Sequence, residues 1–238
     1  GRKDSLRGWA RRVVPDTWLR SVRADSLEAA EASAWMSLLA AILQFEGVAW
    51  LTSIGAITRA ENKLTQAEAA RRVGVQTPQT IVTNDVNFVG SALGREVVVK
   101  PLGAGHYVDA GRPHTVHAIS AVAAELRTED LAAAPFLVQQ KLCAVRHWRV
   151  VTVGGEAWSA ALDAKGYSLD WRRDSLAQSS FADVLAPSPI ETGALATASA
   201  LNLGYSSQDW IETDDGVYIV DVNPSGQWLF LPESIGSE

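Results

Sequence analysis

The hydrophobic residues near the N-terminus recur every three to four positions, which is the spacing of an amphipathic helix. The residues that carry this pattern are Leu27, Trp35, Leu38, Leu39, Ile42 and Phe45. They predict a helix over about 26–45. Thr58 and Glu61 form a capping box, and Gly74 is a helix stop, so a second helix is predicted over about 59–73.

Short apolar runs bounded by turn residues predict strands in most of the remaining chain. Two helices interrupt them, one from Thr115 to Leu126 and one that begins with Pro189 in a capping box and runs to Gly204. The mixture of hairpins and helices indicates an α+β fold. The predicted strands are 79–83, 95–100, 136–139, 147–153 and 156–162, the last two joined by the hairpin dipeptide Gly154-Gly155.

The last predicted hairpin places two carboxylates opposite each other. If residues 214–216 form a three-residue loop, Asp209 faces Asp221 on the neighbouring strand. Like charges at this distance destabilise a sheet unless a cation lies between them. Alternation places Asn223 on the same face as Asp221, so the three oxygen donors suit a magnesium ion. The stretch DVNPSG also suits a plain exit from a strand into a turn.

Two cationic side chains lie within or at the end of predicted strands that are otherwise apolar. Lys100 ends the run VVVK before a glycine-containing loop, which suits a phosphate, although a surface lysine is the alternative. Arg149 lies inside the apolar run HWRVVTV and needs a partner, either a bound oxyanion or a structural carboxylate.

The composition is that of an ordinary globular protein, with 47% hydrophobic and 20% charged residues. The single cysteine, Cys143, excludes an intramolecular disulfide and favours a cytoplasmic location. No apolar run is long enough to cross a membrane. The net charge is −6, but residues 1–23 form a basic segment. This segment could attract an acidic partner, or it could be simply solvated. No nucleic-acid-binding motif accompanies it.

Taken in order, the motifs resemble those of ATP-grasp ligases. More narrowly, the chain is similar to the graspetide (microviridin-type) ligases that mature ribosomally made peptides, with the segments 78–84 and 223–228 as the narrow markers. The motifs are Lys63 with Gln66, TPQTIVTND, VVVKPL, FLVQQKL, HWRVVTVGG, DWRR, GYSSQDW and IVDVNPSGQWLFLPE.

The resemblance implies a role for each matching position. It implies that Lys63 and Lys100 hold the phosphates of ATP and that a hinge contacts the adenine. It implies two arginines that act on the phosphates or the acyl-phosphate, and three ligands for Mg²⁺. The hinge residues are Gln139, Gln140, Lys141 and Leu142; the arginines are Arg149 and Arg172; the metal ligands are Asp209, Asp221 and Asn223.

The resemblance also predicts the domain organisation. Residues 1–75 are expected to be a mostly helical remnant of the N-terminal region, whose strand-containing part looks truncated. Residues 76–238 are expected to form the ATP-grasp domain, with a small subdomain over 76–142 and a large, metal-binding subdomain over 143–238. The chain departs from the family pattern at His147, where an acidic residue is usual, and at Asp221, where glutamate is usual.

The expected activity is ATP-dependent condensation of a carboxylate with a hydroxyl or an amine. ATP and Mg²⁺ are the expected cofactors, and a precursor peptide with an acidic core is the expected partner. Neither nucleic acid nor membrane is expected, and a homodimer is one option for the assembly. The alternatives are a ligase that adds a free amino acid, as glutamate ligases do, and a non-catalytic remnant that binds nucleotide or peptide.

Overall fold

The computed structural model describes residues 6–11, 22–23, 25–103, 106–109, 112–131, 134–167, 171, 174 and 176–236. The helices are α1 (Leu27–Leu43), α2 (Ile54–Ala60), α3 (Lys63–Arg72), α4 (Val86–Leu93), α5 (Thr128–Leu131), α6 (Ser188–Ala200) and α7 (Glu233–Gly236). The strands are β1 (Leu6–Gly8), β2 (Val48–Trp50), β3 (Thr80–Thr83), β4 (Glu96–Pro101), β5 (His106–Asp109), β6 (Arg112–Thr115), β7 (Ile119–Val122), β8 (Phe136–Gln140), β9 (Arg146–Val153), β10 (Glu156–Asp163), β11 (Ala182–Asp183), β12 (Tyr205–Thr213) and β13 (Gly216–Asn223).

The larger sheet has five antiparallel strands in the order β11-β10-β9-β12-β13. One face of it packs on α2, α3 and α6 through a core that includes Trp148, Trp210 and Ile190. The opposite face is covered at one end by a second cluster, which includes Tyr205, Trp171 and Phe181. The middle strands are therefore covered on both faces at that end, which explains the unbroken apolar runs at 150–151 in β9 and 160–162 in β10.

The smaller sheet has four antiparallel strands in the order β3-β8-β4-β7. Helix α4 covers one face of it, with Val89 fully buried against Val97 and Val138. Two further pairings stand apart: the β5-β6 hairpin, and a parallel contact of β1 with β2 near the N-terminus. The combination of antiparallel sheets with helices confirms the predicted α+β class.

The first predicted helix is confirmed, but the second is divided. The capping box at Thr58 and Glu61 is not formed; instead α2 begins after Ser53 and a separate helix α3 begins after Asn62. The side chain of Asn62 accepts hydrogen bonds from two backbone amides of the first turn of α3, which makes it the preferred start. The predicted stop is confirmed, since Gly74 has φ +78° after the last turn.

The predicted helix from Thr115 to Leu126 is wrong. Thr115 ends β6, residues 119–122 form β7, and only a short 3₁₀ turn follows over Ala123–Glu125. Strand β7 pairs with β4 from Glu96 to Val99. The edge of the smaller sheet thus overrides the helical preference of the alanines, because local propensity is weaker than tertiary pairing.

Helix α6 is confirmed, but its ends differ from the prediction. Pro187, not Ser188, is the N-cap residue, and no side chain caps the first turn, so the predicted capping box is wrong. The helix ends at Ala200 rather than Gly204, because Asn202 adopts a left-handed φ of 56° and the backbone turns there. No helix within the described residues is both long and apolar enough to cross a membrane.

Candidate active site

Three neighbouring strands of the larger sheet place their charged residues side by side. Asp209 on β12 lies opposite Arg149 on β9 and, on its other side, opposite Asp221 on β13. Residues next to them along the strands, such as Trp148 and Trp210, belong to the core on the helix-covered face. Because side chains alternate along a strand, the three charged residues occupy the opposite face.

A bulge brings the two aspartates together. The loop of the last hairpin has two residues, not the predicted three, and Thr213 pairs with Gly216. That register alone would place Asp209 opposite Val220. The register shifts by one residue between Asp209 and Trp210, and the pairing of Asp209 with Asp221 follows. The predicted pairing is therefore confirmed, although the predicted loop is wrong.

Arg149 and Asp209 form a buried ion pair, with 2.5 Å between Nη1 of the arginine and Oδ1 of the aspartate. Their residues are only 6% and 9% exposed. The Nη2 group of Arg149 also donates to the carbonyl oxygen of Gln227 at 3.0 Å. From the sequence, the partner of Arg149 is either a bound oxyanion or a structural carboxylate. In the structure, the carboxylate of Asp209 binds one nitrogen of the guanidinium group.

The turn that follows β13 approaches Arg149 closely at Gly226. A Cβ atom at this position would lie 2.5 Å from the Cβ of Ser207 and 3.2 Å from Nη2 of Arg149. Only glycine therefore lets the backbone of residues 226–227 reach the arginine. Sequence reasoning missed this contact, although the SG dipeptide after Asn223 was recognised as a turn.

Lys63 is the first residue of α3 and contacts the same row of charges. Its Nζ lies 2.7 Å from Oδ1 of Asp221, and both side chains are about a quarter or less exposed. Gln66, one turn later, fixes the helix on β13: its amide nitrogen donates to the carbonyl of Val222, and its amide oxygen accepts from the amide of Val222. Helix α3 is therefore held at a defined height beside Asp221.

Lys100 reaches the same place from the smaller sheet. It lies on β4, and its Nζ is 3.4 Å from the carbonyl oxygen of Val220 on β13. Lys63, Lys100, Gln139 and Asp221 line one cleft, together with Thr80. Two lysines that are distant in the sequence thus converge on one cleft between the two sheets. The cleft is partly open to solvent, and a nucleotide bound there would extend into its open part.

The four predicted hinge residues do not face one cavity. Gln139 is buried in the lysine cleft, where its amide donates to the hydroxyl of Thr80 at 3.0 Å. Gln140 and Lys141 instead line a second, open cavity beside Glu96, and Lys141 forms an ion pair with Glu96 at 3.3 Å. Leu142 is half-buried between β8 and β9. A role for this segment in adenine binding stays a prediction.

The three predicted metal ligands share one face but already have partners in the protein. Asp209 pairs with Arg149 and Asp221 with Lys63, and Oδ1 of Asn223 accepts from the amide of Ser225 at 2.9 Å. Among the described residues, no three His, Cys, Asp or Glu side chains form a metal cage. Mg²⁺ needs only one or two carboxylates when phosphate oxygens supply the rest. These donors therefore fit an ion that binds together with a nucleotide.

His147 is buried on the face of the sheet that carries Arg149. Burial lowers the pKa of its imidazole, and the nearby carboxylate of Asp209 opposes this shift in part. The side chain is therefore favoured as a neutral group within the site. Arg172, the second predicted arginine, lies outside the described residues.

Solved structures with a similar fold were found at low sequence identity. A RiPP-associated ATP-grasp ligase from Chryseobacterium gregarium, in complex with ADP and a leader and core peptide, matches with a TM-score of 0.81 and 20% identity, over 94% of this chain and 70% of that chain. A macrocyclase from Microcystis aeruginosa MRC, bound with a precursor peptide, matches with a TM-score of 0.78 and 20% identity, over 96% and 72%. The chain has the ATP-grasp fold.

A more distant ATP-grasp structure matches as well. The D-alanine–D-alanine ligase from Bacillus anthracis, complexed with ATP, has a TM-score of 0.55 and 14% identity, over 79% of this chain and 62% of that chain. No family model matches the sequence, and no curated protein is similar to it by sequence. The predicted fold is thus confirmed by structural similarity, while the roles of the site residues remain predictions.

Proposed function

We propose that the protein is an ATP-dependent ligase that joins a carboxylate to a hydroxyl or an amine within a ribosomally made precursor peptide. The observation that carries this proposal is the convergence of Lys63, Lys100 and Asp221 on one cleft of an ATP-grasp fold. Two ammonium groups and a carboxylate beside them suit a triphosphate with its magnesium ion. The peptide substrate is supported by similar structures that were solved with leader, core or precursor peptides.

The reaction we propose has two steps. In the first, a carboxylate oxygen of the substrate attacks the γ-phosphorus of ATP, and ADP leaves with the electrons of the broken P–O bond. In the second, a hydroxyl or amine attacks the carbonyl carbon of the acyl-phosphate; phosphate leaves, and the attacking group loses its proton. The product is an ester or an amide.

The residues of the site would act mainly by position and charge. Lys63 and Lys100 would hold the phosphates, and Lys63 is exposed enough to exchange its contact with Asp221 for one with a phosphate. Arg149 would stabilise negative charge on the acyl-phosphate. Magnesium, held by Asp221, Asp209 and Asn223, would neutralise charge on the transferred phosphoryl group. Phosphoryl transfer depends mostly on such positioning.

The division of labour between the two sheets follows from this proposal. The small subdomain, residues 76–142, would supply Lys100 and the adenine hinge, and the large subdomain, residues 143–238, would supply the metal ligands and Arg149. Residues 1–75 would contribute Lys63 through α3. The proposal also includes a peptide substrate with an acidic core and a homodimeric assembly. It further includes a cytoplasmic location, where ATP is abundant.

The test compares two aspartate variants in the same hairpin. Asp221→Ala should lower ADP formation by about 100-fold or more, since one charge-stabilising group is lost. Asp215→Ala, in the exposed loop of that hairpin, should leave it unchanged. ADP is measured with Mg²⁺, ATP and a capped hexapeptide in which threonine and glutamate alternate. Normal ADP formation by Asp221→Ala would contradict the assignment.

Mass spectrometry of the peptide separates this function from the addition of a free amino acid. Loss of one water per link means internal condensation. A gain of one residue mass, with glutamate present, means addition of an amino acid, which the similarity to D-alanine–D-alanine ligase makes the second candidate.

A further inference from the structure

Arg11 lies next to the charged face of the larger sheet, although it is far from that sheet in the sequence. Its guanidinium carbon is 5.1 Å from the centroid of the Trp228 ring. Trp9, two residues earlier, packs on both Tyr205 and Trp228, with ring centroids 5.3 and 5.6 Å apart. The segment that follows β1 is therefore fixed on the aromatic end of the face that also carries Arg149.

Two of the three guanidinium nitrogen atoms of Arg11 are buried without a hydrogen-bond partner among the described residues. These atoms are Nε and Nη2, which donate to no oxygen atom of the described residues. Nε of Arg149 is in the same condition, because Nη1 of that residue binds Asp209 and Nη2 binds the carbonyl of Gln227. Buried donors of a charged group are normally paired, so these donors call for an acceptor that the described part of the chain does not supply.

Tyr205 lies near both arginines. Burial raises the pKa of its phenol, while the positive charges of Arg149 and Arg11 lower it, so both guanidinium groups lie within electrostatic reach of one ring. The tyrosine hydroxyl donates to the carbonyl of Gly226 at 2.8 Å. Asp209 neutralises Arg149, whereas no carboxylate of the described residues forms an ion pair with Arg11. Among the described residues, the two arginines therefore share one carboxylate partner, Asp209, beside the aromatic rings of Tyr205 and Trp228.

We propose that Arg11 and Arg149 together bind the carboxylate that the enzyme activates, an acidic side chain of the peptide. This inference rests on the proposed function and assigns a specificity residue to it. Two guanidinium groups offer planar N–H donors that match the two oxygens of a carboxylate. The aromatic surroundings exclude water and strengthen that contact. Arg149 extends from this position to Asp209, which lies next to Asp221 and the lysine cleft, so the bound carboxylate lies on the face to which the triphosphate binds.

The experiment measures preference for a carboxylate over its uncharged isostere. Two capped hexapeptides are titrated calorimetrically in the absence of nucleotide: one alternates threonine with glutamate, and the other replaces each glutamate with glutamine. The wild-type protein should bind the glutamate peptide about tenfold more tightly or better, as for a charge-assisted pair. Arg11→Met replaces the guanidinium group, which lies over the Trp228 ring, by an unbranched apolar side chain without donors. It should reduce the preference to about twofold.

Two variants serve as comparisons. Arg7→Gln removes an exposed arginine of β1 in the same basic segment and should keep the wild-type preference, so a general loss of positive charge is excluded. Arg11→Lys keeps the charge without the planar donors and should lie between wild type and Arg11→Met. It also replaces Arg11→Met if that variant does not fold. Thermal unfolding of Arg11→Met should show a midpoint within about 4 °C of the wild-type value, since the contact that the substitution removes is a cation–π contact with Trp228.

An unchanged preference in Arg11→Met, or no preference in the wild type, would overturn the proposal. Inorganic phosphate is the second probe: if Arg11→Met weakens phosphate binding and leaves the peptide preference intact, the site binds phosphate and the proposal is wrong. MgATP is titrated separately. Failure of the wild type to bind MgATP would contradict the proposed function, whereas failure of the peptide preference alone would contradict the assignment of Arg11.

Discussion

His147 shows how a single buried residue connects the site to the stability of the fold. It lies between Ile211 and Leu162 on the neighbouring strands, and burial lowers the pKa of its imidazole. In the unfolded chain, the imidazole has a pKa of about 6.5. Between the folded and the unfolded pKa, the unfolded state therefore binds more protons than the folded state does.

The consequence is a stability that falls with acidification. The contribution of His147 is fully present above pH of about 6.5 and is lost as the pH falls toward the folded pKa. We expect the free energy of unfolding in urea to fall less between pH 7.5 and pH 5 in His147→Gln than in the wild type. Equal falls in the two proteins would show that the histidine is not held neutral.

The sequence could predict those site residues whose charge is unusual for their position in a strand. Lys100 and Arg149 were identified because each interrupts or ends an apolar strand, and Asp221 because it stands beside Asn223 at a strand exit. The structure brings all three to one face or one cleft. Arg11 could not be predicted in this way, because its site depends on the contact with Trp228, more than two hundred positions away.

At the scale of elements, the sequence predicted strands better than it predicted boundaries and pairing. The strands around Val98, Val138 and Val150 are where their apolar runs placed them. The helix predicted from Thr115 is a strand instead, because pairing with β4 outweighs the preference of isolated alanines. The hairpin register needed a bulge at residue 220, and no turn residue signals a bulge inside an apolar run.

The placement of α3 depends on Gln66, and replacing this residue should lower the free energy of unfolding. Its side-chain amide pairs with both backbone groups of Val222 and with the carbonyl of Ala60, all buried. Gln66→Leu leaves these backbone groups without partners, which costs about 2–5 kcal/mol of unfolding free energy. Because α3 also carries Lys63, affinity for MgATP should fall as well. Urea unfolding and calorimetric titration measure the two effects.

The matched control lies on the exposed side of the same helix. Glu68→Gln removes a carboxylate whose ion pairs with Arg71 and Arg72 are at the surface, so the free energy of unfolding should stay close to the wild-type value. A cost for Gln66→Leu as small as that for Glu68→Gln would mean that α3 is held by its apolar contacts alone.

At the scale of the whole molecule, the two sheets contribute to one nucleotide site. Lys100 extends from the smaller sheet to the carbonyl of Val220 on the larger one, while Lys63 contacts Asp221 one residue away. A ligand that binds both lysines joins the sheets, and it should therefore stabilise the whole fold. At a concentration 100 times its dissociation constant, a ligand adds about 2.7 kcal/mol to the free energy of unfolding.

This stabilisation gives the last prediction. For a chain of this length, that energy should raise the midpoint of thermal unfolding by about 5–10 °C in saturating MgATP. Lys100→Met should reduce the rise at the same MgATP concentration to less than about 2 °C, because the contact from the smaller sheet to the phosphates is lost. Lys165→Met, in the exposed turn after β10, should keep the full rise. A full rise in Lys100→Met would place the nucleotide on the larger sheet alone, and the cleft between the sheets would then not be its binding site.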